Sequence, residues 1–224
     1  MSVPDIVFRS GACGNHARLM LSVDPKFDLV FCPNPSKRVQ WIYDNVYKFR
    51  TWNNWLSTEW TYREQLDSSI RVYHSEFNIG EGFSDQSWIT RPQLYLLQTD
   101  HWLAGLHYFM INLGLNNHTL DLFVADSQQW QHNLYYPKVC NESYNMPNKK
   151  ILYADSLFEP ELDYNWYKKL IDWAGYSDCY EQAAQIHGFH FQARLRAIQD
   201  FVEYFKGDHF RGTLEYYQKF LEKN

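Results

Sequence analysis

Short apolar runs, each bounded by polar or turn-forming residues, recur along the chain and predict β-strands. They are rich in β-branched and aromatic residues, which suit the pleated, half-buried surface of a sheet. The four clearest runs lie at residues 5–9, 69–74, 94–98 and 149–154. Two weaker runs, at residues 27–32 and 120–124, predict a strand or an extended connection.

Elsewhere the apolar positions recur at helical spacing. The predicted helices cover residues 36–65, 102–113, 161–174, 178–205 and 213–222. Glycine closes three of them, at Gly114, Gly175 and Gly207, as is typical of a helix C-terminus. Strands that alternate with helices predict an α/β fold: a mostly parallel sheet flanked by helices on both faces, with a helical C-terminal third.

The first predicted strand enters a loop of small residues, and a helical pattern follows. The loop reads Arg9-Ser10-Gly11-Ala12-Cys13-Gly14-Asn15. A strand, loop and helix of this kind can bind phosphate through backbone N–H groups and the helix N-terminus, with the charge of Arg9 at the mouth. Asn15, a strong capping residue type, is predicted at or near that N-terminus. The loop lacks the Gly-Lys-Ser/Thr ending of a Walker A motif, which disfavours an ordinary ATPase or GTPase. The alternative is a strand-to-helix turn that binds nothing.

The second clear strand ends at His74, which is predicted to act as a catalytic base. The carboxyl ends of parallel strands face one crevice, so this imidazole would face the phosphate loop. Its ordinary pKa suits proton transfer near neutral pH. The alternative is a histidine that forms only a structural hydrogen bond. His187 and His190, three positions apart, would share a helix face, but without a carboxylate-histidine motif they do not predict a metal site.

Composition favours one folded domain over residues 1–224, since 45% of the residues are hydrophobic and 18% aromatic. A net charge of −5 and no basic run longer than two residues disfavour nucleic acid as a partner. No apolar run approaches the roughly 18 residues of a membrane helix, and no signal peptide is recognisable. The four cysteines form no Cys-x-x-Cys pair, which favours free thiols in a reducing compartment. The chain is therefore predicted to be soluble and cytoplasmic.

Taken in order, these segments resemble the P-loop sulfotransferase family, whose members use the sulfate donor PAPS. Arg9-Ser10-Gly11 is similar to the basic-Ser-Gly start of the family's 5′-phosphosulfate loop. His74 falls where the family places its catalytic base. Residues 94–109 and 150–175 resemble later strand and helix units of the family. Lys206-Gly207 is similar to a C-terminal Lys-Gly segment that contacts the 3′-phosphate.

The resemblance implies a P-loop sulfotransferase-like fold and transfer of a sulfuryl group from PAPS to an acceptor hydroxyl. Residues 9–15 and Lys206 would bind the donor, and His74 would deprotonate the acceptor, a small molecule or a glycan. In-line transfer of this kind depends on positioning and charge stabilisation.

The chain departs from the family pattern at five positions that would hold phosphate or support the base. These positions are Ala12, Cys13, Val72, Gln98 and Leu106. They support a second hypothesis, a non-catalytic α/β binding or structural protein that has lost the cofactor site. A third hypothesis is another group transferase, such as a nucleotide-dependent kinase or a glycosyltransferase. The missing Walker lysine and the lack of an Asp-x-Asp motif argue against it.

Overall fold

The protein is described from a computed structural model, which places eight segments of the chain. These segments are residues 5–8, 13–27, 32, 34–50, 71–74, 93–97, 149–204 and 211–224. The predicted strand at 120–124 and the predicted helix at 102–113 lie outside the described residues, as does most of the weaker run at 27–32.

Four parallel strands form one sheet, in the order β2-β1-β3-β4. They are β1 (Asp5–Phe8), β2 (Arg71–His74), β3 (Gln93–Leu97) and β4 (Lys149–Tyr153). Each strand coincides with one of the four clear apolar runs to within one or two residues. The more specific assignment, a P-loop sulfotransferase-like domain over residues 1–224, stays a prediction.

Five α-helices lie in the described segments. They are α1 (Gly14–Leu21), α2 (Arg38–Ile42), α3 (Tyr164–Ala174), α4 (Tyr180–Tyr204) and α5 (Arg211–Lys223). A 3₁₀ turn at Pro35–Lys37 leads into α2, and a π-helical turn at Tyr43–Tyr47 continues it. A 3₁₀-helix at Ala154–Phe158 follows β4 directly. None of the described helices is both long and apolar enough to cross a bilayer.

The boundaries of α3 follow from its sequence. The Asp163 carboxylate accepts a hydrogen bond from the Asn165 backbone N–H at 2.8 Å, as an N-cap residue does. At the other end Gly175 adopts a left-handed conformation with φ of 74° and closes the helix. The buried positions, Trp166, Tyr167, Leu170 and Ile171, form one apolar stripe against the core.

Helix α1 lies at the centre of the core, and all eight of its residues are buried. It packs against α4, whose small residues Ala183, Ala193 and Ala197 are fully buried. The sheet contributes Ile6, Leu94, Leu96 and Leu152 to the same core. This packing fixes the position of Gly14 and Asn15, the last two residues of the predicted phosphate loop.

Candidate functional site

The sheet order places a topological switch point beside β1. The chain passes from β1 to β2 on one side and then to β3 on the other side of β1. Ligands of open parallel sheets bind beyond the carboxyl ends of the strands at such a point. At this end Phe8 pairs with His74 of β2 and with Leu96 of β3. The predicted base therefore lies, by its backbone, next to the strand end from which the predicted loop leaves.

The structure describes three of the seven predicted loop residues: Cys13, Gly14 and Asn15. Arg9, Ser10, Gly11 and Ala12 lie outside the described residues, as do Lys206 and the side chain of His74. Gly14 is the first residue of α1, and Asn15 is the second.

The expectation that Asn15 lies near the helix N-terminus agrees with its position, but the capping position is held by Cys13. Cys13 has φ of 60° and ψ of 24°, in the left-handed region that L-residues other than Asn and Asp rarely occupy. Its carbonyl oxygen accepts the first helical bond, from Ala17 N–H at 2.9 Å. Intrinsic capping preference favours Asn15, but the left-handed residue at which the helix begins is Cys13, two residues earlier.

A buried arginine on α4 holds the start of α1 in place. The guanidinium of Arg194 donates to the Cys13 Sγ at 3.0 Å and to the Leu157 carbonyl oxygen at 2.9 Å. It lies 3.8 Å from the centre of the Phe158 ring, in a cation–π contact. Cys13 follows β1, and Leu157 and Phe158 follow β4. Arg194 therefore joins two connections that leave the same carboxyl edge of the sheet.

The charge of Arg194 is poorly compensated. The residue is 4% exposed, and among the described residues its contacts include no carboxylate. Burial lowers the pKa of the guanidinium, and the neighbouring Cys13 sulfur opposes that shift. A buried cation is costly unless a negative group lies close by. The start of α1 is therefore a place where an anionic group is favoured.

Two buried histidines and a tyrosine form a hydrogen-bonded chain near Arg194, and a third buried histidine stacks on it. The His187 Nε2 lies 2.8 Å from the Glu159 carbonyl oxygen, which can only accept, so Nε2 carries the proton. His187 Nδ1 then accepts from His16 Nε2 at 3.2 Å. His16 Nδ1 in turn accepts from the Tyr47 hydroxyl at 3.1 Å. The carbonyl group thus fixes the tautomer of both imidazoles.

The third histidine, His190, stacks on His16 with ring centres 3.9 Å apart and planes 10° from parallel. Its Nε2 accepts from the Arg194 guanidinium at 2.7 Å. Burial lowers the pKa of His16 and of His190 well below the usual value, and that of His187 to about 4. The imidazoles are thus neutral at pH 7. Within the described segments no three His, Cys, Asp or Glu side chains are grouped around a common point for a metal ion.

Sequence reasoning missed the role of Arg194 and His16. The spacing of His187, His190 and Arg194, at i, i+3 and i+7, places them on one helix face, and this was the available signal. These three large polar side chains lie among the apolar positions of the helix, on the face that packs against the core. Polar residues on such a face indicate a buried polar network. The partner residues in α1 could not be identified from spacing, because they lie more than 170 positions earlier.

Comparisons with known proteins give no further guide to this site. No protein-family model matches the chain, and no curated protein or solved structure matches it either. The resemblance to P-loop sulfotransferases therefore depends on the sequence motifs alone, and any function has to be argued from the residues at the carboxyl edge of the sheet.

Proposed function

We propose that the protein is a sulfotransferase-like group transferase that moves a sulfuryl group from PAPS to an acceptor hydroxyl. The observation that best supports this is the pairing of Phe8 with His74 across β1 and β2. It brings the backbone of the candidate base next to the residue that precedes Arg9 and the loop. A base and an anion-binding loop that share one strand edge are the minimum that such a transfer requires.

The described residues fit an anionic donor at the start of α1. The buried, poorly compensated Arg194 lies against Cys13, and the positive end of the α1 dipole faces the same loop. In the proposed mechanism the backbone N–H groups of residues 10–15 and the Arg9 guanidinium bind the phosphosulfate. PAPS, when bound, supplies the activated sulfuryl group. His74 would take the proton from the acceptor hydroxyl as that oxygen bonds to the sulfur, while the bond from the sulfur to the 5′-phosphate oxygen breaks and adenosine 3′,5′-bisphosphate leaves.

A second candidate is a non-catalytic protein that keeps the scaffold. One observation favours it: the Cys13 sulfur already accepts a hydrogen bond from Arg194, and Gly14 and Asn15 are buried. In this case Arg194 and the helix start satisfy each other, and the loop binds no ligand. The two candidates differ in whether any nucleotide stabilises the protein.

A thermal-shift panel of adenosine 3′,5′-bisphosphate, ATP and UDP-sugars distinguishes them. A ligand at a hundred times its Kd adds about 2.7 kcal/mol to the free energy of unfolding. We expect adenosine 3′,5′-bisphosphate to raise the melting temperature and the UDP-sugars to leave it unchanged. Arg9→Ala should weaken binding at least about fivefold, the effect of one charge-assisted hydrogen bond. A panel without any shift would favour the non-catalytic candidate.

The variant His74→Ala then tests the chemistry with labelled PAPS and a set of phenolic, alcoholic and glycan acceptors. Loss of a general base lowers the rate by about 10²–10⁴-fold, while nucleotide affinity and melting temperature stay close to those of the parent. A folded His74→Ala protein that transfers sulfate at the parent rate would rule out the assignment of the base. Loss of melting temperature without a separate loss of rate would indicate a structural histidine.

A further inference from the structure

A cavity that the transferase proposal does not use lies between β4 and α3. It has a volume of about 590 Å³, within the range of small-molecule sites. We call it the β4–α3 cavity. Its walls come from β4, from the following 3₁₀-helix and from α3, and the residues that line it are Lys150, Leu152, Tyr153, Asp155, Ser156, Trp166 and Lys169.

The apolar part of this cavity is rigidly built. The Trp166 indole N–H donates to the Tyr153 carbonyl oxygen at 2.7 Å, which ties α3 to the end of β4 and fixes the indole plane. Trp166 and Leu152 are both almost completely buried, whereas the Tyr153 side chain is 58% exposed at the rim. A flat aromatic body can therefore enter beside Tyr153 and pack against a preformed indole wall.

The polar part of the cavity is positively charged. Lys150 and Lys169 both line it, and within the described segments neither ammonium group pairs with a carboxylate. Lys168, the neighbour of Lys169 on α3, is by contrast paired with Asp172. The lining thus contains two ammonium groups and one carboxylate, that of Asp155, so its net charge is positive.

The cavity extends along β4 to the carboxyl edge of the sheet. Its lining runs from Lys150, the second residue of β4, to Asp155 and Ser156 beyond the strand end. The Ser156 Oγ itself is inaccessible to solvent, so the hydroxyl does not meet a ligand in the cavity.

From these groups we propose that the β4–α3 cavity binds a small aromatic compound that carries one anionic group, such as a carboxylate, sulfate or phosphate. The aromatic body packs against Trp166, and the anion lies between Lys150 and Lys169. The site does not depend on the transferase proposal, because none of its residues belongs to the loop or to β2.

Calorimetric titration with two probes of the same shape tests the site. Naphthalene-2-sulfonate carries the charge, and naphthalene-2-sulfonamide is its neutral counterpart. We expect the sulfonate to bind at least tenfold more tightly than the sulfonamide. The double variant Lys150→Gln/Lys169→Gln should lose at least tenfold in sulfonate affinity and should no longer distinguish the two probes.

Lys168→Gln is the matched control, since it removes an adjacent but paired lysine of the same helix, and it should leave both affinities unchanged. Melting temperatures show that each variant is folded, as expected for changes at solvent-accessible lysines. Equal affinity for the two probes, or full sulfonate affinity in the double lysine variant, would overturn the proposal. So would loss of binding in Arg9→Ala instead, because the probe would then lie in the loop.

Discussion

The Nε2 atom of His16 and the Nδ1 atom of His187 lie 3.2 Å apart, although 171 positions separate the two residues. The bond requires an unprotonated Nδ1 on His187, since a protonated His187 would present an N–H to the N–H of His16. Helices α1 and α4 are therefore joined by a contact that depends on protonation.

Acid should destabilise the protein through these histidines. The folded pKa of His187 is about 4, whereas an unfolded histidine has a pKa of about 6.5. Between these two pH values the unfolded chain therefore binds more protons than the folded chain. The stabilisation that neutral His187 provides is fully present above about pH 6.5 and is lost as the pH falls towards about 4. His187 alone accounts for about 3 kcal/mol, and His16 and His190 add to it in the same direction.

Urea unfolding at intervals from pH 7.5 to 4.5 measures this slope. The variant His187→Gln, which keeps one donor and one acceptor, should be less stable at pH 7.5 but should show a shallower decline. An identical slope in the variant and the parent would show that His187 does not titrate in this interval.

The Tyr47 hydroxyl is predicted to donate to His16 Nδ1, the acceptor nitrogen in the tautomer that the Glu159 carbonyl group fixes through His187. Tyr47→Phe leaves the buried His16 Nδ1 without that donor and should cost about 1–2 kcal/mol of unfolding free energy. Nitrogen NMR of the imidazole should show the parent His16 protonated at Nε2. Tyr43→Phe is the control, because the Tyr43 ring packs on Phe189 and no described residue hydrogen-bonds to its hydroxyl; its cost should be close to zero. Equal costs for the two variants would contradict the assignment.

Arg194 should contribute far more to stability than its neighbour Arg196 on the same helix. Arg194→Ala removes the donor to Cys13, Leu157 and His190 and opens a buried space, so we expect a loss of about 2–4 kcal/mol. Arg196 is exposed, and among the described residues its side chain makes one hydrogen bond, to the Tyr47 carbonyl oxygen, so Arg196→Ala should cost less than about 1 kcal/mol. Urea titration at pH 7.5 compares the free energies of unfolding of the two variants. Similar losses of stability would contradict the greater contribution of Arg194.

Replacing Gly175 or Gly188 by alanine should change the free energy of unfolding in opposite directions. A Cβ atom at Gly175 or Gly188 would meet no atom within 4 Å, so backbone conformation alone decides the outcome. Gly175→Ala forces an L-residue to φ of 74° and should cost about 1 kcal/mol. Gly188 lies inside α4, where alanine is preferred, so Gly188→Ala should gain about 0.5–1 kcal/mol. Thermal unfolding measures the change in melting temperature of each variant relative to the parent. A change of the same sign in both variants would contradict this account.

Much of the local structure could be predicted because its causes are local. The strand at Gln93–Leu97 follows from an apolar run, and the end of helix α3 follows from the glycine at position 175. The sequence pattern predicts the start of α3 at residue 161, three residues before Tyr164, because it does not identify the cap at Asp163. Local patterns do not locate the cap at Cys13 either, since Asn15 has the stronger intrinsic preference.

The candidate site was less predictable for a different reason. The loop and His74 could be identified as chemistry-bearing residues, and strand pairing brings the backbone of His74 next to Phe8, the last described residue before the loop. The contacts of Arg194 with Cys13 and of His16 with His187 connect opposite ends of the chain. Such pairs follow from the three-dimensional packing of α1 on α4, which no periodicity within either helix encodes.

The burial of α1 against α4 also has a consequence for synthesis on the ribosome. Leu19, Met20 and Leu21 leave the exit tunnel long before the helix that covers them has been made. At about 5–20 residues per second, the 171 positions between His16 and His187 take roughly 10–30 s to translate. During this interval the nascent chain presents an apolar helix without its partner, so α1 is the segment at which a ribosome-associated chaperone would be expected to bind.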